Sequence, residues 1–134
     1  MKTLRFNEDF ELDFLILGIN SHIKLYKLCW EINKKLHTSF VKNKNHIINN
    51  NQEFERFSYI NKNSEITYNI ISNVSNTGYL DPNNKSINYF MIVQGEIYNT
   101  QKTIERLSQI EDILLVFELN LSKIKTITPF IIND

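Results

Sequence analysis

Apolar positions along this chain change period at two places, and those changes mark the first elements. Phe14-Leu15-Ile16-Leu17-Gly18-Ile19 is a continuous apolar run, as a strand covered on both faces requires. Ahead of it Phe10, Leu12 and Phe14 alternate with Glu11 and Asp13, so residues 6–13 read as a half-exposed strand leading in. From Ser21 to Leu36 no Pro or Gly intervenes and the spacing becomes helical. At about 100° per residue, Leu25, Leu28, Cys29, Ile32 and Leu36 share one arc, the expected core stripe. Lys24, Lys27, Glu31, Lys34 and Lys35 fill a charged arc. The stretch predicts a helix with Asn20 or Ser21 as its cap, since a short oxygen side chain satisfies a free N–H of the first turn. His22, Ile23, Tyr26, Trp30 and Asn33 occupy what remains. A sheet covers one stripe of a helix, so Ile23, Tyr26 and Trp30 form a second stripe needing another cover: a segment of this chain, or a partner.

Further along, Phe40-Val41 and Ile47-Ile48 bracket a polar, basic stretch that suits an edge strand. Asn49-Asn50-Asn51 marks a turn. Residues 54–60 and 65–73 read as a hairpin around Asn61-Lys62-Asn63-Ser64, with Ile66, Tyr68 and Ile70 on one face. Turn clusters follow at 76–78 and 81–84. Residues 87–93 are a strongly apolar strand, and 113–119 another buried one. Between them Asn99 or Thr100 caps a surface helix with the narrow apolar set Ile104, Leu107 and Ile110. The closing segment carries Pro129-Phe130-Ile131-Ile132, a quartet that predicts a docked tail. The order β-α-β-β-β-α-β predicts one α+β domain over 1–134: a mainly antiparallel sheet with two helices, built as a ferredoxin-like core with an extra strand. Leu15, Leu17, Leu25, Leu28, Ile32, Phe90, Ile92, Leu115 and Phe117 are expected to form one core.

Composition narrows the function classes. Net charge is zero, so the chain as a whole lacks a nucleic-acid or membrane signature. No apolar run approaches the roughly 20 residues of a membrane span, and the first residues hold no apolar signal core. The single Cys excludes an internal disulfide and a Cys-based metal cluster, and a reducing cytoplasm is the expected location. Ala is absent while Asn, Ile and Lys abound, as an AT-rich coding bias would produce; many Asn are expected to be surface filler.

Candidate chemistry is sparse. With three Gly there is no phosphate-binding glycine loop, and no His, Cys or carboxylate set has metal spacing, so neither cofactor nor metal is implied. His22 and Cys29 fall about 10 Å apart along the predicted helix, too far for proton transfer, and Cys29 sits in the core stripe. His22 falls in the first helical turn, where the dipole disfavours the imidazolium; with Asn33 it is a candidate polar site. From His22 to His46, six lysines (Lys24, Lys27, Lys34, Lys35, Lys42 and Lys44) face one glutamate, a candidate basic patch.

Leu17-Gly18-Ile19-Asn20-Ser21-His22, then Tyr26, Leu28-Cys29-Trp30 and Ile32-Asn33, resemble the N-terminal half of the IPExxxVDY family, small bacterial proteins, mostly from Bacteroidetes, with no assigned activity. The naming motif falls on Asp81-Pro82-Asn83 and, three residues later, Ile87-Asn88-Tyr89. Pro82 and Tyr89 match, Ile87 stands for Val, and Asn83 and Asn88 replace the family's two carboxylates. The later stretches, 89–95 and 116–118, are also similar. The resemblance implies a single domain without a known cofactor. Three function readings follow. The first is a non-catalytic protein-interaction module, a homodimer through Ile23, Tyr26 and Trp30 or a binder of another protein. The second is a weak nucleic-acid or acidic-partner binder using the basic stretch Lys24–Lys44. The third is an enzyme of unrecognised type with His22 and Tyr26 near its site.

Overall fold

A computed structural model of the chain describes residues 3–7, 10–49, 51–95, 100–123 and 127–132. Its elements are β1 (Thr3–Asn7), β2 (Phe10–Ser21), α1 (Leu25–Leu36), β3 (Val41–Lys42), β4 (His46–Ile48), β5 (Gln52–Phe54), β6 (Arg56–Asn61), β7 (Ile66–Ser72), β8 (Val74–Ser75), β9 (Gly78–Tyr79), β10 (Tyr89–Gln94), α2 (Thr100–Ser108) and β11 (Ile113–Glu118). The main sheet runs β11-β2-β10-β7-β6-β3, every pairing antiparallel, and β1 pairs with the start of β2. Taken in chain order, β2, α1, β7, β10, α2 and β11 give β-α-β-β-α-β. Helix α2 links β10 to β11 with β2 between them; α1 follows β2, and the chain then passes through β3 and β6 before it reaches β7, which β10 separates from β2. That is the split β-α-β plan of a ferredoxin-like core. Two strands, β6 and the short β3, extend it at one edge, where one was expected. The expected lead-in over 6–13 divides instead between β1 and β2. Asn50 and Asn99, expected in a turn and as a cap, lie outside the described residues.

The central strands explain their own sequence. Because β2 and β10 lie side by side within the sheet, successive residues bury on opposite faces and the apolar run needs no alternation. Leu15, Leu17 and Ile19 pack with Met91 and Val93 under α1 and α2, against Leu25, Leu28, Cys29, Ile32 and Leu107. Ile16 packs with Ile71, Phe90, Ile92, Phe54, Leu80 and Phe130 on the other face. The single expected core is therefore two cores with the sheet between them, and Phe90 and Ile92 belong to the second. The tail docks there: Phe130 is buried against Phe90, ring centroids 5.1 Å apart, flanked by Ile127 and Ile132. The expected burial of β11 fails in its middle. Its register slips between Ile113 and Leu115, and Leu114 and Leu115 are left 62% and 52% exposed on an outer strand. Phe117, also expected in that core, instead packs beside the second one, its ring closing over Gly18, where an added Cβ would lie 2.7 Å from Cζ.

Helix α1 starts four residues later than expected. Ser21 completes β2; its Oγ donates to the Asp112 carbonyl at 2.6 Å and accepts from the Ile23 N–H at 3.4 Å. That hydroxyl fixes the strand-to-helix turn and so is not a helix cap. Lys24 holds the cap position without a side-chain hydrogen bond. At the other end His37 takes a left-handed conformation, φ 57°, and its N–H returns to the Asn33 carbonyl. The β6-β7 hairpin turns one residue later than expected, over 62–65, with Asn61 ending β6 opposite Ile66 and its Oδ1 accepting from the Asn63 and Ser64 N–H groups.

Candidate functional site

The aromatic half of the second stripe is an outward-facing surface. Tyr26 and Trp30, one turn apart on α1, are 63% and 57% exposed, so no segment among the described residues covers them. Lys34 Nζ lies 3.7 Å from the Trp30 ring centroid, a cation–π contact, and 3.8 Å from Glu31. Lys24, Lys27 and Lys35 stand exposed on the same helix. Ile23 parts from the stripe: it precedes the helix, is half-buried against the helix-side core, and its carbonyl accepts from the Tyr89 hydroxyl at 2.6 Å. The periodicity missed this because it assumed a helix over residues 21–24.

The candidate polar site comes apart. His22 is exposed in the bend before α1, not in its first turn. Asn33 lies at the far end, its amide committed: Nδ2 donates to the Phe40 carbonyl at 3.1 Å, and Oδ1 accepts from Thr38 Oγ1 and the Phe40 N–H. It ties the end of α1 to the strand entry. Of the six lysines, Lys34 is engaged with Trp30, and Lys42 pairs with Glu55 at 3.0 Å. Lys44 is exposed beyond β3, where its carbonyl accepts from Arg56 Nε.

Cys29 is buried beneath α1, and its thiol is pushed up to about 12 by burial and, secondarily, by Glu55. The thiol is therefore protonated at neutral pH and inert. Thiol reagent should modify Cys29 only as fast as the protein opens; labelling of the native protein at the rate of denatured chain contradicts this placement. The folded state disfavours the thiolate, so its contribution to stability is fully present below the unfolded value of 9.0 and is lost as pH rises towards about 12. Tyr68 and Tyr89, both raised first by burial, act in the same direction above their ordinary value of 10.0.

Two clefts escape sequence reasoning. A cavity of about 580 Å³ on the tail side is lined by Lys44, His46, Arg56 and Pro129, among others. Its polar groups hold the fold: His46 Nε2 lies 2.7 Å from the Pro129 carbonyl oxygen, and buried Arg56 donates to the Lys44 carbonyl and to Asn69 Oδ1. A smaller cleft, about 270 Å³, opens between the end of α1, the sheet and α2, with Tyr59, Tyr68, Lys102 and Arg106 among its walls. The sequence carried no signal for it, since a turn over 61–64 sets Tyr59 against Ile66, whereas the observed register, with Asn61 opposite Ile66, makes Tyr59 and Tyr68 direct cross-strand partners. Among the described residues no group of three or more His, Cys, Asp or Glu is placed to hold a metal, and no helix is long and apolar enough to cross a membrane.

The stretches that carry the family resemblance meet in space. Asp81 caps a 3-10 turn that starts at Pro82, accepting from the Asn83 N–H; Asn88 Oδ1 accepts from the Ser21 N–H at 2.9 Å; Tyr89 holds Ile23. Compared with known proteins, the chain matches no family model and no curated protein.

Proposed function

We propose that the protein is a non-catalytic interaction module whose α1 face, centred on Trp30 and Tyr26, docks a protein segment with apolar anchors and acidic flanks. The observation carrying this reading is the exposure of those two rings on one helix face, since Trp and Tyr bury large area at contacts while keeping a polar atom to pair. Charge selects the occupant. Lys24, Lys27, Lys34 and Lys35 form an arc along one side of the rings with Glu31 as the acid among them, so an acidic segment gains attraction there. A second copy set face to face would bring like charge together. The homodimer expected from the sequence is nevertheless the other outcome of the test. The relation to the IPExxxVDY family stands as a proposal too, supported by the hydrogen bonds that join its two matching stretches.

Light scattering of the protein alone and calorimetric titration with an amphipathic peptide of leucines and glutamates test the reading. A monomer is expected, bound by the peptide more weakly at high salt, with Trp30→Ala costing tenfold or more in affinity. A dimer that Trp30→Ala dissociates assigns the face to a second copy. A monomer indifferent to the peptide removes the reading. Tight binding of RNA at physiological salt, lost when Lys24, Lys27 and Lys34 are neutralised, would instead support the basic-patch reading.

A further inference from the structure

The smaller cleft has a composition that the fold does not require. Its apolar wall is a cluster of three rings. Tyr59 and Tyr68, opposite each other on β6 and β7, stack with centroids 5.6 Å apart and planes at 27°. Phe40 leans on both, at 5.7 and 6.1 Å. Its rim carries His37 from the end of α1 and Lys102 and Arg106 from α2, and among the described residues no carboxylate lines it. Neither phenol hydroxyl has a hydrogen-bond partner among the described residues, and neither is sealed from solvent. A purely structural ring cluster needs no cationic rim. A purely solvated basic rim needs no half-buried rings beneath it.

We propose that this cleft binds a small planar aromatic anion, a single or fused ring bearing one carboxylate or phosphate. The ring lies against the Tyr59–Tyr68–Phe40 wall, and the anionic group meets Arg106, with His37 beside it on the rim. Guanidinium and ammonium groups, with the phenols as O–H donors, form a surface that offers hydrogen atoms and positive charge. Among the described residues its lining holds neutral acceptors but no carboxylate, so an anion is the charge complement of Arg106. Burial keeps the Tyr68 hydroxyl protonated, which preserves its donor role. Size sets the upper bound: about 270 Å³ is below the roughly 300–1,000 Å³ of sites that enclose drug-sized ligands. A ring with one charged substituent fits that space, and a long chain or a dinucleotide does not. The site lies apart from Tyr26 and Trp30, so it stands or falls independently of the docking face.

Two probes carry the proposed chemistry from different sources: indole-3-acetate for a carboxylate, adenosine 5′-monophosphate for a phosphate. Indole, adenosine and inorganic phosphate are the controls that each lack one half. Titrations followed by amide and side-chain NMR should show saturable binding of at least one probe in the millimolar range or tighter, with shifts centred on Tyr59, Tyr68 and Arg106. The matching controls should bind at least tenfold more weakly. Arg106 is exposed, so Arg106→Gln should leave the melting temperature unchanged while weakening the probe tenfold or more, and Arg106→Lys should recover part of the loss. Tyr59→Leu, which keeps an apolar wall but removes a ring, should weaken the probe without abolishing its salt dependence. If inorganic phosphate binds as tightly as the nucleotide, the ring plays no part and the proposal fails. If the neutral rings bind as tightly as their anions, the cationic rim plays no part and it fails equally. No saturable shift with either probe at millimolar concentration also overturns it.

Discussion

Leu28→Ala and Phe90→Ala are expected to destabilise the protein by about 2–5 and about 3–5 kcal/mol respectively, and their effects to add. Both side chains are fully buried, so truncation removes transfer energy and leaves a cavity. Leu28 points from α1 into the helix-side core, while Phe90 points from β10 to the other side, where its ring meets Phe130 edge-on at 78°. With the sheet between them they share no cavity, and the double variant should equal the sum of the singles within about 0.5 kcal/mol. At about 2–8 °C per kcal/mol, each single change should lower the melting temperature by several degrees or more. Denaturant titrations of the four proteins decide the matter. Strong coupling between the two would mean one continuous core, as the sequence first suggests, and the two-layer description would be wrong.

The reason the second core is hard to read from sequence lies in what covers it. Periodicity makes α1 and its faces legible, because Leu25, Leu28, Cys29 and Ile32 repeat at helical spacing and nothing else in the chain competes for them. It makes Tyr26 and Trp30 legible as an unshared stripe for the same reason. Among the described residues no α-helix covers the far face of the sheet. It is covered by the β4-β5 hairpin, the loop after β7 and the tail, whose buried residues Phe54, Leu80, Ile87 and Phe130 are scattered among turn residues and follow no period. Residues Leu114 and Leu115 mislead in the opposite sense: an apolar run reads as burial, but a slipped register on an outer strand turns both outward. The cleft is legible only after pairing is known, since Phe40, Tyr68 and Arg106 lie far apart in sequence and meet through the split β-α-β crossing. Asn residues mislead most. Expected for the most part as surface filler, they include Asn69, an acceptor for Arg56 and Ser58 inside the sheet, while Asn33, expected in a polar site with His22, ties the end of α1 instead. A polar side chain gives no periodic signal, so its burial shows only when its partners are in place.

Asn73 is the strongest case, and Asn73→Ala is expected to cost about 3–5 kcal/mol. Fully buried at the end of β7, it donates from Nδ2 to the carbonyls of Asn84 and Ile87, at 2.9 and 2.8 Å, and accepts at Oδ1 from the Asp81 N–H at 2.9 Å. Its own backbone donates to the Asn88 carbonyl and accepts from the Leu80 N–H. One side chain thus closes the loop that joins β7 to β10, and through Asn88 and Tyr89 that loop holds Ser21 and Ile23 at the start of α1. Alanine leaves the Asp81 N–H and the Ile87 carbonyl without these partners, while the Asn84 carbonyl keeps only the Ile87 N–H; each orphaned group costs about 1–3 kcal/mol if it stays dry, with some relief if water enters the space left behind. Asn73→Asp is a sharper probe. It keeps the acceptor for Asp81 but sets a carboxylate against two carbonyl oxygens, so it should cost no less than alanine at neutral pH. Lowering the pH to protonate that carboxyl restores one donor, and the aspartate variant should then recover stability relative to alanine at the same pH. Hydrogen exchange supplies the local readout: the Asp81 amide, protected in the wild type, should exchange faster in both variants well before global unfolding. A loss below about 1 kcal/mol in Asn73→Ala, with Asp81 still protected, would mean that the loop closes without this side chain.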